Sequence, residues 1–468
     1  MPGKRLKPLS LPALTLSGVL LAGCVSLEAP AAPPASVSAP VTQIVGDQSQ
    51  PPFPATYRPK ASEPFAIINA RIYTGAGPLI ENGGLLVRDG RIVQVGAGLA
   101  PPQGVHVMDA AGRWLTPGIV DPHAHIGVGS SPVEANGDGS NESGPNASGV
   151  WVEHSLWTQD PMFERALAAG VTTIMILPGS ANLFNGRTVT VKNVPALSPQ
   201  QMKFPGAPYG LKVACGENPT SGAGGKPSTR AGGMLAYRTT LTAAANYLQQ
   251  RKGGGRIDPA LETIAGALNG DVKVHIHCYR ADEMLQMIDL AHEFGFKIAG
   301  FHHALEAFKI APVLAREAIP VITWSGDWSG YKMEAFDSVM ENAAFIHAAG
   351  GLAAMHSDNV MLMQHLNQEA ARAMTAGQEA GLDIRPEDAI AWITLNPARI
   401  IGVDQETGSL EAGKAADLIL WDQDPLSVYS RPDLVFIDGV LWHDRSRTPG
   451  PPRSDFELGH SRRPGDQP

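Results

Sequence analysis

Two histidines spaced two residues apart, His123 and His125, close the run Leu115-Thr116-Pro117-Gly118-Ile119-Val120-Asp121-Pro122-His123-Ala124-His125. The run opens at a Pro-Gly turn and carries the β-branched pair Ile119 and Val120, so it reads as a short buried strand. Alternation along a strand turns both imidazoles to one face. Neutral imidazole is a ligand for zinc and similar divalent ions. A lone His-x-His is no more telling than two surface histidines, but this one stands at a strand end before the glycine-rich residues 127–149. Four further segments end on groups able to join it: Cys215-Gly216-Glu217-Asn218, His275-Ile276-His277-Cys278, Phe301-His302-His303 and Met355-His356-Ser357-Asp358. Together they offer three or four imidazoles and two carboxylates, a donor set for one or two divalent ions. His277 lies nearer its strand end than His275. His302 and His303 point oppositely, and His356 shares the face of Asp358 one layer deeper.

Those groups meet only if their elements surround one axis. After the first strand come strand candidates at 171–177, 188–192, 211–215, 272–276, 297–301, 319–323 and 352–355. Helical spacers fall at 161–169, 281–294, 304–315 and 360–380. Eight strands with intervening helices fit an α/β chain folded as a (β/α)8 TIM-type barrel, in which catalytic side chains sit at the C-terminal strand ends. A doubly wound sheet is the alternative, though no Gly-x-Gly-x-x-Gly stands between a strand and a helix to bind a nucleotide. Short strands at 65–73 and 84–95, the latter turning at Asp89-Gly90, match a second set at 416–422 and 435–442. Residues 64–117 and 403–444 therefore read as one small β domain built from both chain ends, around a barrel at 118–402.

With 468 residues, 43% of them hydrophobic, the chain can bury more than one core. A net charge of −9 without a long basic block argues against a nucleic-acid partner. Residues 1–24 stand apart: Lys4, Arg5 and Lys7 precede an apolar run that ends Leu20-Leu21-Ala22-Gly23-Cys24. This is the pattern of a secretory signal, shorter than the ~20 residues that span a bilayer. Residues 25–63, rich in Pro and Ala, read as an extended tether, and the Arg- and Pro-rich 445–468 as a disordered tail. Cys215 and Cys278 then remain, too few for a disulfide-stapled fold. Cys215 reads as a small buried apolar residue rather than a thiolate ligand.

The chain resembles the metal-dependent amidohydrolase superfamily, particularly its imidazolonepropionase-like branch, from about Pro64 to Asp444. Besides the His-x-His run, the likeness rests on Ala169-Gly170-Val171-Thr172-Thr173, Pro178-Gly179-Ser180-Ala181-Asn182, His356-Ser357-Asp358, Thr394-Leu395-Asn396-Pro397-Ala398 and Gly408-Ser409-Leu410-Glu411-Ala412-Gly413-Lys414-Ala415-Ala416-Asp417-Leu418. It implies a barrel with a small β-sandwich. It also implies that His123, His125 and Asp358 hold one metal ion and His277 and His303 another, zinc being the expected ion. The family's bridging carboxylate, often a carboxylated lysine and sometimes a glutamate, falls on Glu217, because no lysine ends the fourth strand candidate; Lys192 could compete. The first segment resembles a bacterial lipoprotein signal, implying a lipid on Cys24. Val25 after it points to the outer membrane, with the body expected to face the periplasm.

The chemistry implied is hydrolysis of an amide or cyclic amide C–N bond in a small-molecule substrate, Asp358 taking the proton of a metal-activated water and passing it to the leaving nitrogen. Asn218, Arg230, Tyr279 and Arg280, on loops after the fourth and fifth strands, are candidate substrate-binding residues. A guanidinium there could clamp a carboxylate, or Arg280 could pair with Asp282 or Glu283. Trp324-Ser325-Gly326-Asp327-Trp328 could line the pocket or pack its rim. A dipeptidase or acyl-amino-acid hydrolase, a heterocycle deaminase and an inactive tethered binding protein are the alternatives. Against the deaminase, Arg280 stands where such relatives place a glutamate.

Overall fold

The computed structural model describes residues 53–129, 141–142, 144, 146–220, 226–251, 256–326 and 328–447. Cys24 and most of the expected tether and tail lie outside them. The inner strands are β1 (Ile119–Ala124), β2 (Val171–Ile176), β3 (Val189–Lys192), β4 (Gly210–Ala214), β5 (Lys273–Cys278), β6 (Ile298–His303), β7 (Val321–Thr323) and β8 (Ala353–Met355). Every residue of β1 and β2 is buried, as expected of strands covered on both faces. Gly118 admits β1 to its place, since a Cβ there would lie 2.1 Å from Thr172 Oγ1.

β1 pairs parallel with β2, and β4 to β8 pair parallel in order. β3 departs from the all-parallel barrel expected: it runs antiparallel to β2, and the preceding segment Phe184–Arg187 runs antiparallel to β4. The physical reason is the connection. No helix lies between β2 and β3, and a parallel crossover needs a dozen or more residues, usually with a helix. The backbone pairing thus forms arcs of three and six strands. Asp358 N donates to His123 O at 2.9 Å where β8 meets β1. Helices such as Ala281–Phe294 cover the outside, burying Met284, Met287, Ile288 and Ala291 at helical spacing and ending at Gly295 with φ 75°. The architecture is TIM-barrel-like α/β.

Strands on either side of the barrel segment, within residues 65–117 and 418–444, enter one eight-stranded sheet. Trp114–Pro117 pairs antiparallel with Leu418–Trp421, placing Leu115 opposite Leu420. Ile67, Ile72, Leu85, Val87, Leu418 and Phe436 complete its core. Two expectations about the chain ends change. Tyr57, within the expected tether, is buried and donates to Asp438 Oδ2 at 2.5 Å. Arg445, the first residue of the expected tail, pairs with Asp422 at 3.0 Å.

Lys192 points not to the strand mouths but to this sheet, with its Nζ 2.7 Å from Asp438 Oδ1 and 3.2 Å from Asp417 Oδ2. It is therefore no competitor for a bridging position. Burial opposes its charge, but the two carboxylates outweigh that and raise its pKa. Lys192→Met would leave both carboxylates buried without their cation. The expected cost is about 3–5 kcal/mol, read as a lowered urea midpoint; a midpoint equal to wild type would refute the clasp.

Candidate metal centre

The C-terminal end of β1 sets two imidazole nitrogens against one carboxylate oxygen. His123 Nε2 and His125 Nε2 lie 3.3 and 3.2 Å from Asp358 Oδ1. His125 Nδ1 is 2.8 Å from Leu177 O, and a carbonyl only accepts, so Nδ1 carries the proton and Nε2 the lone pair. His123 Nδ1 is 2.9 Å from His302 Nδ1, and His302 Nε2 is 3.0 Å from His275 Nδ1. One proton per ring satisfies this chain in either direction, and Lys212 Nζ, a donor 3.1 Å from His123 Nε2, selects the one in which His123 Nδ1–H donates inward and Nε2 keeps its lone pair. His275 and His302 extend that chain behind His123 and orient its ring.

A second group of imidazoles faces the first. His303 and His356 have ring centroids 5.0 Å from that of His123, and His277 lies 4.5 Å from His303. Burial is the leading cause that lowers the pKa of each: His275 and His356 come down to about 3, and His123, His277, His302 and His303 fall well below 6.5. All are neutral at physiological pH. His277 Nδ1 and Nε2, His303 Nδ1 and both nitrogens of His356 are buried with no hydrogen-bond partner. A buried polar atom left unpaired costs about 1–3 kcal/mol, so this concentration of open nitrogens points to an occupant. Ligand atoms of His123, His125 and Asp358, and of His123, His303 and His356, lie within 4.8 Å of one another. The donor set fits divalent ions. Two of its members, His303 with φ 68° and Asp358 with φ 61°, hold left-handed backbone, a posture uncommon outside glycine and frequent at functional sites.

His356, read from the sequence as lying a layer deeper, thus belongs to the cluster. Glu217 does not. Its side chain is 40% exposed and pairs with Lys332 at 3.2 Å. The group at the centre is Lys212, fully buried, with Nζ 3.1 Å from His123 Nε2 and 3.4 Å from Pro178 O. Burial brings its pKa down to about 8, against the pull of Asp358. β4 ends at Ala214, so a long side chain starting two residues earlier reaches the mouth from within, whereas Glu217 is already on the loop. A lysine amid an otherwise apolar strand was the available signal.

The remaining candidates form the rim. Glu334, buried on the loop after β7, accepts from Arg230 Nη2 and, at 2.7 Å, from Glu217 N. Gly216 has φ 80°, and a Cβ there would lie 2.6 Å from the Glu334 carboxylate. Arg230 also pairs with Glu283, and Arg280 with Asp282 at 2.9 Å. Both guanidiniums are therefore engaged as structural partners. Asn218 Oδ1 accepts from Lys332 Nζ at 2.7 Å, and Asn218 Nδ2 donates to Ser180 Oγ at 3.0 Å. Tyr279 stacks on His303 at 5.1 Å beneath Lys332, whose Nζ is 4.0 Å from the phenol ring centroid. Cys215 and Cys278 form a disulfide joining the ends of β4 and β5. Its signal was positional: two cysteines ending neighbouring strands.

Comparison with known proteins agrees with this architecture. The Amidohydrolase family matches residues 267–441. An amidohydrolase from Thermotoga maritima MSB8 of known structure is 33% identical, covering 81% of this chain and 100% of that one with a TM-score of 0.74. Amidohydrolase tasK of Hapsidospora irregularis is 32% identical over 83% of this chain, which spans 44% of that protein's length. An imidazolonepropionase of Mesorhizobium japonicum is 24% identical over 76% of this chain and 91% of its own. The chain belongs to the amidohydrolase family, hydrolases that act on carbon–nitrogen bonds.

Metal analysis separates the two bridging candidates. Lys212→Met is expected to lower the metal content of the purified protein, and Glu217→Gln to leave it at the wild-type value. The reverse pattern would return the bridge to Glu217.

Proposed function

We propose that this chain is a metal-dependent amidohydrolase that cleaves the amide or cyclic amide C–N bond of a small substrate. One observation carries the reading: His123, His125 and Asp358 converge beside buried imidazoles whose nitrogens have no partner. His123, His125 and Asp358 would hold one divalent ion and His277 and His303 a second, zinc being the expected ion. When bound, such ions lower the pKa of water to ~7 and polarise a carbonyl. Lys212 corresponds to the carboxylated lysine of the family. Addition of CO2 to its neutral amine, with loss of one proton, gives a carbamate and replaces a repelling cation with a carboxylate.

Asp358 is the proton carrier. Burial alone would raise its pKa, but His125, His356 and Lys212 hold it well below the carboxylate range. An ionised oxygen beside both β1 imidazoles can orient the attacking water, accept its proton and release it to the departing nitrogen. The backbone bond from Asp358 N to His123 O keeps that oxygen in place. In metal-replete buffer, Asp358→Asn is expected to lower kcat by about 10²–10⁴ with an unchanged circular dichroism spectrum. Wild-type turnover in that variant would sink the mechanism.

The finer architecture belongs to the same proposal: a closed TIM-type barrel over 118–402 in which β3 alone runs against β2, and a β-sandwich from 64–117 and 403–444. So does a lipid on Cys24 that anchors the body to the outer membrane, facing the periplasm. The Leu-Ala-Gly-Cys sequence supports the anchor, and the disulfide supports an oxidising compartment. Among the described residues no helix is long and apolar enough to cross a membrane. Cys24→Ser is expected to move the protein from the membrane fraction to the soluble one at unchanged specific activity; a variant that stays membrane-bound would refute the anchor.

A further inference from the structure

An aromatic file leads from the imidazoles to solvent. Trp324 is 2% exposed and lies 4.6 Å from both His303 and His356, ring centroid to ring centroid. Trp328 stacks on Trp324 at 4.5 Å, and Tyr331 meets Trp328 edge-on at 5.7 Å. Trp324 and Tyr279 pack with Leu305 and Ala335 in a small apolar cluster of their own, against Trp328 and Leu362. Beyond Tyr331 the chain turns through the short 3₁₀ segment Met333–Ala335. Side chains three apart eclipse in such a turn, which sets Met333 beside Phe336. These outer residues are strongly exposed: Tyr331 62%, Met333 81% and Phe336 66%. Large apolar side chains in sequence at a site entrance mark a contact surface.

The charges at the same entrance are already committed. Lys332 is held by Asn218, Glu217 and Glu334, and Arg230 by Glu283 and Glu334. These two cations face three carboxylates, so neither is left to seat a substrate carboxylate.

We infer that the substrate is an amide bearing an extended apolar group, which lies along Trp324, Trp328 and Tyr331 and leaves the protein over Met333 and Phe336. This rests on the amidohydrolase reading above and specifies its substrate class. The occupant follows from continuity: the file that ends in exposed Tyr331, two residues before exposed Met333, begins against His303 and His356, where the scissile group must sit.

The full chain, metal-replete, can be tested with 4-nitroanilides of linear acids from acetyl to decanoyl. kcat/KM is expected to rise about two- to fourfold per methylene, the upper figure corresponding to complete burial of a CH2 group. In parallel, 11-bromoundecanamide should quench tryptophan fluorescence saturably. Met333→Ser/Phe336→Ser should flatten the chain-length slope at an unchanged melting temperature, and Trp328→Phe should reduce the quenching. A flat slope with cleavage of all anilides overturns the apolar track and leaves amide hydrolysis standing. Saturable quenching with no anilide cleaved sustains the track and overturns hydrolysis of this substrate class. A dimer in sedimentation that Met333→Ser/Phe336→Ser dissociates assigns the patch to a second copy of the chain and overturns the inference.

Discussion

Everything at the candidate site depends on the junction that Asp121 makes between β1 and β8. Its carboxylate, fully buried, accepts from His123 N at 3.1 Å, from Ser357 N at 3.2 Å and from the Ser357 hydroxyl. Burial pushes its pKa up to about 7, with those donors pulling the other way. The junction fixes the residues on either side: His123 follows Asp121 by two positions, and Asp358 follows Ser357 by one. A left-handed posture at a non-glycine residue costs of order 1–3 kcal/mol, and Asp358 adopts one only because its own N–H and its neighbour's are both tied to β1. The geometry of Asp358 is thus set by its bonds to β1 rather than by the loop that follows it.

Around that junction, burial determines the chemistry. Desolvation strips the imidazoles of protons, and a neutral ring has one lone pair to give. The chain from His275 through His302 to His123 shows how the ring interior uses this: with Lys212 donating to His123 Nε2, the two deeper histidines take up the hydrogen bond that His123 Nδ1 directs inward. Lys212 obeys the same rule with the same sign, because a buried ammonium is driven toward the neutral amine. The rim follows ordinary salt-bridge logic, with Glu334 gathering the loops after β4 and β7.

How far the sequence could be read follows from which signals are periodic. Period-two alternation is local, so the shared face of His123 and His125 was visible within three residues, as was the helix at 281–294 from its apolar spacing and terminal glycine. The joining of residues 64–117 to 403–444 was visible because two sets of short strands flanked a long middle. What escaped was set by reach and by partners. Lys212 lies inside its strand, and only the length of its side chain brings it to the mouth. The direction of β3 depends on a missing helix, which leaves no positive mark. Arg230 and Arg280 have the chemistry of a carboxylate clamp, but Glu283, Glu334 and Asp282 take them first. Tyr57 stood in a stretch whose composition suggested a tether, and its phenol on Asp438, with Thr56 N and Tyr57 N on Gln200 O and Lys203 on Phe53 O, docks it.

The covalent link between Cys215 and Cys278 has a consequence for alignment. β4 and β5 pair with Ala214 opposite His277. In a β ladder, sliding by one position would turn His277 outward, and sliding by two would put His275 in its place. A sulfur–sulfur bond one residue beyond that pair forbids both slips. It works as a pawl, so that the histidine reaching the cluster is decided once, when the two thiols join.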